Sequence, residues 1–508
     1  MLNRTLEFFG FKKPTPEPVK RSYEGGKHTG RMRYWPTTSG SQNRQMFSDL
    51  QTLRERSRDM ARNLPWMASA EHSFASNIIA NGIVPNPAGE TEEIRKTLTK
   101  SWRRWCSTAE TSGTLDFGLL QHLAARTLFT SGEVFIRIRP RRADDDLYLP
   151  FQLQVLDAEY VPLDKNEILA DGNKVVMGVE FNKIGAIVAY WMHQEHPSDI
   201  VAIDTGTKLP VRVDARHVIH IFDQQRPEQV RGVPWMAPSI VRMNDVKDYE
   251  DAEVNRKKTA ALYPGFVTSP ELDETPLDEE EDDLEGGLFA VPEPGTMVKL
   301  GPGEDVTFNA PPDTGVTYDP HMKMQLRSVA MVADLTYEQI TGDLSDVNFS
   351  SIRAGLNEMQ RRAGRVQKMI IHQLCQRVWN RFLDEMVLSG RVKIKGYDTV
   401  DGRWDARDIR WIKPGWRYTD PEAEQAADAS AVKNGFKSRA EIILDSGRDP
   451  IQVEEQIQEE RERAKEKGLQ FDVDAPPKTV ADIEMAKISA EAKKASAGGV
   501  GATDRIAA

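Results

Sequence analysis

Chemistry on a nucleotide needs backbone amides wrapped around phosphate, and the nearest approach to such a loop is Gly25-Gly26-Lys27-His28. A phosphate loop of the Gly-x4-Gly-Lys-Ser/Thr kind also requires an earlier glycine, a hydroxyl after the lysine and a strand leading in. This run has none of the three. No ATP-driven engine is expected in the chain, so any motor must be a partner. His193-Gln-Glu-His196 offers imidazoles and a carboxylate, but zinc hydrolases set two histidines on one helix face. Here the tetrad follows a strand-like run, Ala186 to Met192, and precedes Pro197, so it reads as a solvated turn. His217 and His220 stand three apart on an expected strand, which sends them to opposite faces. They make no ligand pair. Cys106 and Cys375 are two distant thiols, giving neither a disulfide framework nor a zinc quartet and pointing to a reducing cytoplasm. No Ser-His-Asp or paired-carboxylate spacing stands out. No catalytic residue, metal or cofactor is expected. An enzymatic alternative, a nuclease or ATPase subunit, would reveal itself by metal-dependent cleavage or ATP turnover.

The charged residues are more telling than the reactive ones. The chain carries 78 acidic against 67 basic residues, a formal charge of −11. A protein that grips DNA by its phosphates shows a basic surface, so the balance argues against gripping DNA but not against surrounding it. An acid run holds Asp278, Glu279, Glu280, Glu281, Asp282, Asp283 and Glu285. Like charges about 4 Å apart repel by about 1 kcal/mol even in water, so the run must stay solvated or meet a basic partner. A polar stretch, with Asp343, Ser345, Asp346, Asn348, Ser350 and Ser351, contains no Lys or Arg. It is either a plain helix connector or a loop that touches DNA without holding it, because cationic phosphate contacts tighten binding by counterion release. Arg353, Arg361, Arg362, Arg365 and Lys368 follow, with Glu358 the main acid among them. Two readings stay open for these: ion pairs between copies plus a solvated face, or a basic ring on DNA phosphates.

The elements that must position these residues follow from periodicity. At the start, Leu6, Phe8, Phe9 and Phe11 are too short a cluster for a membrane span and lack a cleavage site, and no later segment is long enough. A soluble protein without membrane contact is expected. Helical spacing runs from Ser48 to Gly82, with Leu50, Leu53, Ser57, Met60 and Leu64 on one face and Pro65 interrupting. Further helices are expected over Glu93 to Cys106 and Phe117 to Thr130. Strands are expected at Glu133 to Pro140, Phe151 to Leu156, Val175 to Phe181, Ala186 to Met192 and Val218 to Phe222. This predicts an α+β fold, helices first and a mainly antiparallel sheet after.

Pro234 and Pro238 open a charged helix to about Tyr263, with a narrow apolar stripe of Ile240, Met243, Val246 and Ala252. Short strand-like pieces follow the acid run, at Leu288 to Val291, Met297 to Leu300 and Val306 to Phe308. Asp319-Pro320 is read as the cap of a second helix, His321 to about Leu335, followed by a helical turn at Thr336 to Gly342 and the polar loop Asp343 to Ser351. The longest helix, Ile352 to Leu388, aligns Ile352, Leu356, Met359, Ala363, Val366, Ile370, Leu374, Val378 and Phe382. Strand-like pieces are expected beyond Gly390, then helices at Asp420 to Lys433, Ser438 to Leu444 and Pro450 to Lys467, and a disordered tail.

The local wording resembles the portal proteins of lambda-type tailed bacteriophages over roughly residues 31–470. The residues that carry this are Leu53-Arg-Glu-Arg-Ser-Arg-Asp-Met-Ala-Arg-Asn63, Asn77-Ile-Ile-Ala-Asn-Gly-Ile83, Gly132-Glu133-Val-Phe and His220-Ile-Phe. Arg226-Pro, Arg231-Gly-Val-Pro-Trp235, Asp334-Leu-Thr-Tyr-Glu-Gln-Ile-Thr-Gly-Asp343 and Phe349-Ser-Ser-Ile-Arg353 continue the series in the same order. The resemblance implies a portal fold: a flexible arm (1–30), an α/β wing (31–235), a first stem helix (236–263), a small β-containing clip (264–318), a second stem helix (319–337), a tunnel loop (338–352), a long helix returning to the wing (353–415), a helical crown (416–470) and a disordered tail (471–508). It implies a dodecameric ring at one capsid vertex of the virion, assembled in the host cytoplasm, that nucleates the procapsid with scaffold and major capsid protein. Double-stranded DNA would pass non-specifically through the lumen. The large terminase and a head-completion or connector protein would dock on it, the acid run of the clip being their expected contact. An acidic, slightly repulsive lumen would keep the duplex sliding. The physical core of this reading is that two short charged helices around an acidic β module lack the apolar surface to stand alone, so copies must close around a wet axis.

Overall fold

The computed structural model describes residues 33–35, 37, 39–87, 91–142, 144–199, 209–262, 265–268, 305–308, 318–416 and 420–469. The acid run 278–285, the strand-like pieces 288–291 and 297–300, the arm 1–30 and the tail 471–508 lie outside these residues.

The chain opens with helices α1 (Gln42–Phe47), α2 (Leu50–Asn63) and α3 (Pro65–Ile79). Pro65 sits at the first position of α3, where its missing N–H costs nothing, so the proline begins a helix instead of kinking one. A short strand β1 (Val84–Asn86) leads to α4 (Glu92–Cys106) and α5 (Phe117–Ser131), whose starts are capped by Thr91 and Asp116 side chains.

Two antiparallel sheets follow where one was expected. The first has the order β3-β2-β9, with β2 (Glu133–Pro140) central between β3 (Phe151–Leu156) and β9 (Val218–Phe222). The second is a five-stranded meander, β4 (Glu167–Ile168), β5 (Lys174–Val176), β6 (Val179–Phe181), β7 (Ile187–Met192) and β8 (Val211–Asp214). The expected strand Val175 to Phe181 is therefore a hairpin. Met177 and Gly178 both take positive φ, 48° and 80°, and turn the chain back so that Val176 faces Val179. His217 closes a 3-10 turn ahead of β9, not a strand position, so the two histidines fail as a pair for a different reason from the expected one.

Helix α6 (Ile240–Leu262) leads into β10 (Gly265–Thr268), which pairs antiparallel with β11 (Asp305–Phe308) just before α7 (Tyr318–Val332). Asp319 and Pro320 lie inside the first turn of α7, correcting the cap assignment. A first-turn proline is tolerated there because that N–H has no helical partner anyway. The short helix α8 (Tyr337–Thr341) is opened by a capping box between Thr336 and Gln339. Helix α9 (Phe349–Ile370) runs through a π turn (Ile371–Cys375) into α10 (Gln376–Leu388). The region expected to be strand-like beyond Gly390 is instead a helix, α11 (Val400–Arg407), and one strand, β12 (Arg410–Ile412), paired with β1. Helices α12 (Pro421–Lys433), α13 (Arg439–Asp445) and α14 (Pro450–Glu466) complete the described chain.

The core lies between α3–α5, the β3-β2-β9 sheet and the long helix α9–α10. Met359, Ala363, Val366, Ile370, Leu374, Val378 and Phe382 are buried along one stripe, as their spacing predicts, whereas Ile352 and Leu356 at its start are only half-buried. Trp102, Trp105, Phe117, Phe151, Trp379 and Phe382 form one aromatic cluster, with Trp102 edge-on to Phe382 at 5.0 Å. Helices α6 and α7 join this same core at one end only, through Ile240, Met243, Val329 and Ala330.

Candidate functional site

A buried polar knot anchors the start of α6. Glu133, at the first position of β2, is fully buried and meets Arg54 of α2 at 2.5 Å, Arg231 at 2.6 Å and His220 of β9 at 3.0 Å. The Gly232 amide donates to the same carboxylate at 2.8 Å. Arg231 spends its remaining donors on the carbonyls of Val161, Met177 and Ala158. Burial would raise the Glu133 carboxyl, but Arg231, Arg54 and His220 outweigh it and hold it well below the usual range. Burial pushes Arg54 down to about 10 against the pull of Glu133. The same desolvation lowers the His220 imidazole, which lies flat between Phe135 at 4.2 Å and Phe222 at 4.4 Å.

The backbone closes just as tightly around this knot. A Cβ on Gly232 would lie 2.0 Å from the Gly132 carbonyl oxygen, and one on Gly132 would lie 2.1 Å from the Val233 carbonyl carbon. Only glycine fits either place. The segments Gly132-Glu133, His220-Ile-Phe and Arg231-Gly-Val-Pro-Trp235 are thus one site in space, fixing where the chain leaves the sheet for α6. Each segment is visible in the sequence, but their convergence and the part played by Arg54 are not. The available signal was a guanidinium on the Leu50, Ser57, Met60 face of α2.

From that anchor, α6 and α7 lie side by side. Tyr249 stacks on Tyr318 at 5.7 Å and meets His321 edge-on at 5.1 Å, while Arg242 donates to the Ser328 hydroxyl. Ile240, Met243 and Val246 are buried, but Ala252 is exposed, so the apolar stripe of α6 stops early. Five acids balance five bases on α6, and α7 carries one acid against two bases. The described helix pair has no acidic excess, which removes this pair as the source of a repulsive lumen.

The polar loop is shorter than expected. Helix α9 already begins at Phe349, capped by Asn348, whose side-chain oxygen accepts from the Ser351 amide at 2.8 Å. Ser350 and Ser351 are therefore helical, and the loop proper is 342–348. Its polar groups bind one another: Ser345 donates its amide and hydroxyl to Asp343 at 3.0 and 2.6 Å, which with Lys323 lowers that carboxyl. Lys323 of α7 reaches Asp346 at 2.7 Å and Asp319 at 3.0 Å, and these hydrogen bonds raise its ammonium above the ordinary range. The loop's most exposed apolar group is Leu344.

The basic residues of α9 have partners in their own chain, an arrangement neither sequence reading included. Arg353 meets Glu424 at 3.3 Å, Arg361 meets Glu358 at 3.6 Å, Arg362 meets Asp334 at 3.1 Å and Arg365 meets Asp223 at 2.8 Å. Lys368 is exposed. Among the described residues one grouping reaches a common ion-sized point, Asp157, Glu159 and His196. Arg58 occupies both Glu159 oxygens at 2.8 and 2.9 Å, so an ion would have to displace a bidentate pair. The tetrad is a bend with Gln194 and Glu195 exposed, as its turn position suggested, and His196 is half-buried against Tyr160 at 5.6 Å.

Comparison with known proteins gives a consistent result. Residues 28–367 match the family described as phage portal protein, lambda family. The chain is 26% identical over 478 residues to the probable portal protein of Halomonas phage phiHAP-1, covering 90% of this chain and 89% of the relative. It is 20% identical over 485 residues to portal protein B of Escherichia phage lambda, covering 87% and 90%. Among solved structures, a chain in the neck of an empty gene transfer agent particle matches with a TM-score of 0.48 and 15% identity, covering 79% of this chain and 94% of that one.

Proposed function

This chain belongs to the lambda family of phage portal proteins, and from that membership we propose that its copies close into a dodecameric ring at one capsid vertex, the conduit for DNA packaging and ejection. The family is a structural capsid component and not an enzyme family, which sets aside the nuclease or ATPase reading. In this reading residues 31–235 and 353–415 form the wing, α6 and α7 the stem, 264–318 the clip, 342–348 the tunnel loop and 416–470 the crown.

The observation that carries the reading is the one-ended attachment of α6 and α7. Their first and last turns share the chain's core, while beyond Val246 the exposed faces have no covering layer among the described residues. Such a pair gains a second packing surface when another copy lies beside it. The duplex would meet a stem of balanced charge and a loop whose acids share Lys323. A helix pair with nearly equal acids and bases has little net positive charge with which to hold a moving duplex.

Terminase and the head-completion protein are proposed to dock on the clip with its acid run, and scaffold and major capsid protein to meet the wing during procapsid nucleation. The test is electron microscopy of the purified chain together with packaging in a reconstituted procapsid. Rings with an open axis, and loss of packaging when the protein is withheld, support the reading. A monodisperse monomer overturns it.

A further inference from the structure

We propose that the shallow groove on the outer side of α7 receives the outer face of α6 from the next copy, with Arg327 of one copy pairing Asp245 of its neighbour. This rests on the ring reading above and specifies the contact that closes it.

The groove runs along Lys323, Met324, Arg327 and Met331, with Arg242 and Asp346 at its edges. Its charges are unevenly satisfied. Lys323 holds Asp319 and Asp346, whereas Arg327 has no ion pair among the described residues and only overlies the Tyr337 ring at 5.6 Å. Met324 is 69% exposed and Met331 64% exposed, an unusual outlay of apolar surface beside a free guanidinium.

The complement is on α6. Val241, Asp245, Asp248 and Ala252 recur at steps of four, three and four, so they share one face. All four are exposed, and Val241 is 73% exposed. The opposite face, with Met243, Val246 and Glu250, is the one turned to the chain's own core, where Glu250 accepts from the Trp66 indole at 3.4 Å. Asp245, Asp248 and Asp251 have no ion pair among the described residues, though Asp248 accepts from Asn244 at 3.0 Å.

Level matching then selects the partners. The contacts Arg242 to Ser328 and Tyr249 to His321 set the antiparallel register of α6 against α7. On that register Arg327 is level with Met243, Met324 with Val246 and Met331 with Ser239. A rotation about an axis along the helix pair preserves level. Val241 of the next copy would thus fall between Met331 and Arg327, and Asp245 between Arg327 and Met324. Asp245 is two residues from the level of Arg327, about 3 Å along a helix, well within the reach of the guanidinium. Two different patches meeting head to tail give a closed ring when the rotation closes.

The test uses the full chain, with assembly followed by mass photometry over a concentration series. Arg327→Glu and Asp245→Arg should each raise the concentration for half-assembly by about tenfold or more. The double variant Arg327→Glu with Asp245→Arg should return it towards that of the unmodified protein. Arg327→Gln should give a smaller loss, which guards against a reversal that disturbs folding. If both single variants assemble like the unmodified protein, the groove is not the contact. If the singles fail and the double gives no rescue, something other than Asp245 fills it. Normal assembly of Arg327→Glu with weakened retention of duplex DNA would turn the groove towards the lumen and overturn the proposal. An unmodified protein that never assembles would overturn the ring reading itself.

Discussion

Glu133 is the residue on which a buried charge cluster of Arg54, Arg231 and His220 turns. Removing its charge leaves Arg54 and Arg231 buried without a counter-ion. An uncompensated buried charge costs about 3–5 kcal/mol. Glu133→Gln is expected to lower unfolding stability by that order, read as a shift in urea midpoint. His220 gives the same site a pH dependence. Its folded imidazole is held low by burial, against the pull of Glu133. A depressed folded value means the unfolded state binds the extra proton first, so this stability is complete above about pH 6.5 and is lost as pH falls through the folded value. Glu133 itself loses nothing until far lower pH, because its own value is depressed well below the carboxylate range. The urea midpoint should therefore fall between pH 7.5 and 5.5, and His220→Gln should flatten that fall. His122, also lowered by burial and by Arg126, supplies part of the remaining slope. An equal slope in the variant would count against His220 as the titrating group. Little of this was legible in the sequence. The partners of Glu133 stand 79, 87 and 98 residues away, and local spacing carries no information at such separations.

Elements were legible where periodicity alone decides them. The stripe from Met359 to Phe382 is buried as its spacing requires, even though a π turn at Ile371–Cys375 adds a residue to one turn. That turn presents Gln373 to the edge of β9, where its amide pairs with the Phe222 backbone at 3.0 and 3.1 Å. Boundaries were less legible because side chains decide them. Asn348 begins α9 earlier than the apolar pattern does, and Met177-Gly178 splits what alternation presents as a single strand. The first of these changes how the polar loop should be tested. Asn348→Ala removes a helix cap, worth about 1 kcal/mol, and should show as a small loss of stability by urea titration. Leu344 is the better probe of DNA contact, being exposed at the loop and free of any capping duty. Leu344→Lys should slow packaging while ring assembly stays unchanged, measured as base pairs translocated per minute. Unaltered translocation would mean the loop does not face the duplex.

For the whole molecule, the family and the α+β class were legible from short segments in the right order, since each segment reports a local backbone requirement. The charge of a lumen was not. A net of −11 describes the entire chain, whereas the described helices α6 and α7 are balanced between acids and bases. Conduction in this account depends on a near balance of charge along the helix pair and on copies packed side by side, with no need for a general acidic wall. The contact between copies is the point at which the account is most exposed. The most direct measurement is the mass and axial projection of the purified chain at micromolar concentration. The account predicts one closed oligomer with a solvent-filled hole bordered by the helix pair 240–262 and 318–332. A single species at the 57.3 kDa mass of one chain, or an assembly whose centre is filled by protein, would contradict it.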